Sequence, residues 1–114
     1  MRLPAEGQEF VRWDVSADLV LSGTLDIAFT TTDDVPSTGE WYSNAWDGVD
    51  VLVSTDAEGT ELHTRSFRVL LAGSQILTPE VGAIQLSAGI NTVWARFRDD
   101  PETIIRKIGR ITAH

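Results

Sequence analysis

Two histidines, His63 and His114, are the only side chains here whose ordinary pKa suits proton transfer near neutrality. Neither stands in a pattern that activates a nucleophile. His114 is the last residue, a position where chains fray. His63 opens an alternating stretch with no serine-centred G-x-S-x-G turn nearby, so a structural or merely exposed histidine is expected rather than a catalytic one. Cysteine is absent, which removes thiolate nucleophiles, disulfides and cysteine-held zinc. The carboxylates Asp33-Asp34, Asp47/Asp50 and Asp56/Glu58 read as loop groups serving turns and caps. Asp56-Ala57-Glu58-Gly59 lacks the alternating oxygens and the terminal bidentate Glu of a calcium loop, and weak calcium binding is its only functional alternative. A glycosidase pair would need a cleft and a raised pKa that no spacing here announces. Phosphate-binding glycine loops are absent. The expectation is a chain with no catalytic residue, no cofactor and no metal, and a small hydrolase is the least favoured reading.

The remaining candidates are contact groups. Trp41, Tyr42 and Trp46 have the side chains that stack on sugars, anchor protein interfaces or cover the end of a sandwich. Trp13 and Trp94 fall inside strand patterns and read as packing. Arg96, Arg98, Arg106, Lys107 and Arg110 gather the cations of the last quarter. They read as a solvated strand face offsetting acidic neighbours, or as a docking strip for an acidic partner.

The elements that must position these groups alternate with a period of two. Val93, Ala95 and Phe97 fall on one face, with Trp94, Arg96 and Arg98 on the other. After the acidic turn Asp99-Asp100-Pro101-Glu102, the pattern places Ile105, Lys107, Gly109 and Ile111 opposite Ile104, Arg106, Ile108 and Arg110. Earlier strands are expected at about Glu9–Val15 and, without a break, from Leu19 to Phe29 with Gly23 at a bulge. Further strands are expected around Val49–Val53 and His63–Leu71, with a short one at Val81–Leu86. Residues 30–39 read as loop, and 1–8 as an extended arm containing Pro4 and Gly7, suited to clamping a neighbour. No stretch has convincing helical spacing. The fold class is all-β, a sandwich or small barrel.

At 114 residues the chain is one domain, 1–114, able to bury roughly two-thirds of its unfolded surface without staples. The net charge of −8 is uneven: residues 1–89 hold 4 Lys+Arg against 14 Asp+Glu, whereas residues 90–114 hold 5 against 3. An acidic body argues against nucleic acid as the main partner. Apolar runs are far shorter than the ~20 residues of a membrane span, and the first residues lack a secretory apolar core. The expected compartment is the cytoplasm in which the chain is made.

Three blocks of sequence carry a resemblance. They are Leu3-Pro4-Ala5-Glu6-Gly7-Gln8-Glu9-Phe10-Val11, the Trp41 and Ala45-Trp46 pair, and Gly89-Ile90-Asn91-Thr92-Val93-Trp94-Ala95-Arg96-Phe97-Arg98-Asp99-Asp100-Pro101-Glu102 with Arg106-Lys107-Ile108-Gly109-Arg110-Ile111-Thr112. Together they resemble small structural proteins from the head and tail genes of actinobacterial tailed bacteriophages. Ile90-Asn91 and Asp100 depart from that group's usual motif, and the region around 49–62 is longer. The resemblance implies an immunoglobulin-like antiparallel β-sandwich of about seven strands in the virion. It would serve as a capsid decoration, minor capsid or head–tail neck component docking on other virion proteins and on copies of itself. It implies no nucleic acid, membrane or small-molecule substrate as partner. The alternative is a carbohydrate-binding adhesion domain.

Overall fold

A computed structural model describes residues 1–99 and 102–114. The chain is all-β, built as two facing sheets. Its strands are β1 (Arg2–Leu3), β2 (Gln8–Ala17), β3 (Leu25–Thr30), β4 (Tyr42–Asn44), β5 (Trp46–Thr55), β6 (Glu61–Ala72), β7 (Ile84–Gln85), β8 (Gly89–Asp99) and β9 (Glu102–Ala113). One sheet has the order β1-β9-β8-β3-β4. The other has the order β2-β6-β5, with β7 beside the far end of β6. The Asp100-Pro101 centre of the expected acidic turn lies outside the described residues.

The two-residue rhythm decides which side chains meet. Val11 and Val15 from β2, Phe67, Val69 and Leu71 from β6, Ile27 from β3, and Val93, Ala95 and Phe97 from β8 all point between the sheets and are buried. Arg96 and Arg98 turn outward, as the alternation requires. Trp94 also turns outward, yet it is buried, because its indole N–H donates to Thr30 Oγ1 at 2.9 Å.

Four expectations change. The predicted Leu19–Phe29 strand is only its second half, β3. Residues 18–24 must carry the chain from one sheet to the other, so they leave the ladder. Gly23 takes φ +77° there, and Leu21 is pinned in the interior. The 1–8 arm does not project. β1 pairs in parallel with β9, Leu3 is 0% exposed, and a turn closes on itself as Gly7 N–H donates to the Pro4 carbonyl. Gly73 makes room for this turn, since a Cβ there would collide with the Pro4 and Ala5 backbone. Asp47 and Asp50 belong to β5 rather than a loop.

The fourth change concerns the faces of β9. Val93 opposes Gly109, but Trp94 opposes Lys107, so Ile108 is an extra residue. This bulge resets the phase. Lys107 shares the outward face with Trp94, while Gly109 and Ile111 share the inward face with Val93 and Asn91. Gly109 is obligatory because a Cβ there would lie 2.6 Å from Trp13 Cζ3. Ile104 and Ile108 pack against the core from the same strand.

Candidate interaction surfaces and an acid-bracketed histidine

The bulge sets Lys107 and Arg110 on the outward face with Arg96 and Arg98, and Arg106 lies on the other side. Arg96 reaches Asp26 on the neighbouring strand, donating from Nε and Nη2 to Oδ2 at 3.0 and 2.8 Å. The same guanidinium lies 4.5 Å over the ring of Trp41. Lys107 Nζ sits 3.5 Å from Asp33 Oδ1 and above the Trp94 ring, and Arg110 Nη2 is 3.8 Å from Asp33 Oδ2. Thr92 Oγ1 donates to Asp33 Oδ1 at 3.1 Å. That bond first, and Lys107 second, hold the Asp33 carboxyl below its ordinary pKa. Arg98 shares Arg96's outward face at Thr103's level. Arg106 is on the other side: it opposes Ala95 and is exposed at the flank near Asp18 and Leu19. Arg96, Lys107 and Arg110 are thus engaged by the chain's own acids, the last two through the 31–40 loop.

The two tryptophans do not form one platform. Trp41 takes Arg96 on one face, on the outer side of the five-stranded sheet. Trp46 points between the sheets, edge-on to Phe97 at 6.2 Å, with Arg65 5.6 Å over its ring. Its indole nitrogen is buried without a partner, as is that of Trp13.

One exposed apolar area lies where the sequence pattern suggested a buried row. Val49 is 75% exposed, Val51 49%, Val53 55%, and Leu52 and Leu62 are exposed beside them. All sit on the β5–β6 hairpin, and β5 is the edge of its sheet. Gly48 at φ +76° and two register shifts bend β5, so its valines spread over both faces instead of one. At the tip, Asp56 Oδ1 accepts from Glu58 N–H and Thr60 N–H at 3.0 and 2.9 Å, the turn chemistry expected of this residue. A separate groove of about 470 Å³ lies at the other end of β6, between Phe10, Tyr42, Leu70 and Val81.

Where β5 meets β6, the inward row of Phe67 continues into polar residues, Arg65 and His63. His63 is 5% exposed. Its Nδ1 is 2.6 Å from Asp50 Oδ2, and its Nε2 is 3.1 Å from Glu61 Oε1. Asp50 Oδ1 also accepts from Leu21 N–H at 2.8 Å. Arg65 donates to the Leu21 carbonyl at 2.9 Å and, from Nε and Nη2, to the Gly48 carbonyl. Glu61, then Asp50, raise the His63 pKa above 6.5 against the opposing pull of burial. Burial opposes the Asp50 charge, but Leu21, His63 and Arg65 outweigh it and lower its pKa. The two acids flank opposite edges of the ring, so they cannot share one ion with it. Among the described residues no three His, Cys, Asp or Glu side chains converge on a point that would hold a metal. Sequence reasoning singled out His63 and named Asp50 only as a loop group, and it missed Arg65. The continued alternation 63, 65, 67 was the available signal for Arg65.

No protein-family model, curated protein or solved structure matches this chain.

Proposed function

We propose that this chain is a non-enzymatic bacteriophage virion structural protein, a capsid decoration, minor capsid or head–tail neck component. It is made in the host cytoplasm and docks on other virion proteins. The observation that carries the assembly role is the β5–β6 hairpin. An edge strand with exposed Val49, Val51, Leu52 and Val53, and without the Lys or Pro that guards such edges, is a surface for a partner. Asp56, Glu58 and Glu61 frame it. The occupant is therefore a virion protein whose contact face is apolar at its centre and carries Lys or Arg at its rim. The bacteriophage setting rests on the resemblance of the 3–11, 41–46 and 89–112 blocks.

We also infer an immunoglobulin-like arrangement of the two sheets. In such domains strands C, F and G form one sheet, extended by C′ in the variable type, and strands B, E and D belong to the other. The orders β9-β8-β3-β4 and β2-β6-β5 reproduce those neighbours. The short strands β1 and β7 bring parallel pairings to a framework otherwise antiparallel. The carbohydrate-binding alternative has less support, since the Trp46 ring packs on Phe97 and Arg96 covers one face of Trp41, which leaves exposed Tyr42 and the other Trp41 face as its platforms.

The test is incorporation. Phage particles are assembled with the wild-type chain, with Val51→Lys/Val53→Lys, or with Arg98→Glu/Arg106→Glu, and the ratio of this chain to the major capsid protein is measured. Loss with the valine variant and retention with the arginine variant are expected. Wild-type chain missing from purified particles would sink the virion reading. Undiminished valine variant would sink the hairpin as the surface, and loss with the arginine variant alone would return the role to the cationic flank.

A further inference from the structure

We propose that His63 is a pH-sensitive latch: held as the imidazolium between Asp50 and Glu61, it tightens the hold of the Asp50 carboxylate on the β5–β6 hairpin and the 18–24 crossover, and loss of a ring proton loosens that hold.

The argument is one of hydrogen-bond capacity. A neutral imidazole has one N–H and one lone pair. His63 presents both ring nitrogens to carboxylate oxygens, at 2.6 and 3.1 Å. Carboxylates only accept at neutral pH. A neutral ring would therefore satisfy one of them and set its lone pair against the other. Only the doubly protonated ring donates to both. The ring itself is nearly closed to water, whereas the Glu61 carboxyl is half exposed, so the Nε2 contact is the one that gives way when the ring is neutral.

The proton has structural reach because of what Asp50 does next. Asp50 is on β5, His63 is on β6, and the other Asp50 oxygen holds Leu21 N–H in the crossover. Three segments thus meet on one carboxylate. Other groups around the ring agree with a charged histidine. Arg65, next on the inward face of β6, is satisfied by the Leu21 and Gly48 carbonyls and adds to the field that keeps Asp50 ionised. From β2 the neutral Ala17 opposes His63 across the ladder, and Asp18 follows it, exposed.

The sign follows directly. The ring pKa is raised on folding, so its stabilising contribution is complete below 6.5 and disappears as pH climbs through the higher folded value. The Asp50 pKa is lowered, so its contribution is present above 3.8 and disappears as pH falls through the lower folded value. The latch is closed in the interval between those two folded values. Loss of the proton on the alkaline side loosens the hold on the edge strand that bears the exposed valines. The latch stands whether or not that strand is the docking surface.

The experiment is an imidazole ¹⁵N NMR titration of the intact chain, run beside amide hydrogen exchange. Both His63 nitrogens should read as protonated at pH 6, with a midpoint above 6.5. Protection of the Leu21 amide and of β5 should fall at least tenfold through that midpoint, beyond the intrinsic rise of exchange with pH. Glu61→Gln, at the exposed acid, should keep the fold and move the midpoint down. His63→Gln should remove the pH step in protection. A ring that is a single neutral tautomer at pH 6 overturns the proposal. So does a midpoint indifferent to Glu61→Gln, or Leu21 protection that passes through the titration unchanged.

Discussion

At the scale of single residues, the decisive contacts join positions remote in sequence. Trp13 lies across Gly109, and the glycine's missing Cβ is what lets β2 and β9 approach. Gly109→Ala is expected to cost about 1–3 kcal/mol by overpacking, read as a lower urea midpoint at an unchanged slope. A variant as stable as the parent would show that the indole slides freely. Leu3, fully buried against the core cluster, makes the opposite case. Leu3→Ala should cost about 3 kcal/mol from lost burial and the cavity left behind, by the same measurement. Sequence reasoning found neither dependence, because periodicity along one strand reports which face a residue occupies and not what faces it. It read Trp13 as packing and was borne out, but placed Leu3 in a projecting arm.

At the scale of elements, alternation located the strands well and their irregularities poorly. The β2 and β6 patterns hold along their length, as the in-register ladder from Gln8↔Ala72 to Ala17↔His63 shows. The Ile108 bulge on β9 broke the rhythm without a glycine or proline at the extra residue to announce it, whereas Gly48 marks the first of the two shifts in β5. The alternation rightly set Arg106 and Lys107 on different sides of the sheet, but it also parted Lys107 from Arg110, which the bulge brings to one outward face. The hairpin tip obeys simpler rules. Gly59 takes φ +84° with open space around it, so only backbone strain opposes a side chain there. Gly59→Ala should destabilise by about 1–2 kcal/mol, measured by thermal unfolding, with the structure elsewhere unchanged. The β5 aliphatics illustrate the remaining limit: Val49, Val51 and Val53 look like a buried row until the neighbours of the strand are known, and β5 has a neighbour on one side only.

At the scale of the whole molecule, a shared core ties the two sheets together, since Phe67 and Phe97 reach it from opposite layers. One cooperative transition is expected, with a calorimetric enthalpy of about 80 kcal/mol near 60 °C for a chain of this length. Agreement between the calorimetric and van't Hoff enthalpies checks it, and separate transitions for the two sheets would refute it. The net charge of −8 keeps copies apart in solution unless a contact is strong, so association through an apolar edge should tighten as salt screens that repulsion.

The pairing of β1 with β9 has a consequence for biosynthesis. Translation delivers the Arg2–Leu3 segment about a hundred residues before its acceptor edge, Thr112–Ala113. Leu3 therefore waits for this partner until every other strand of the domain has been made, and the β-ladder that shelters it is the last to become available.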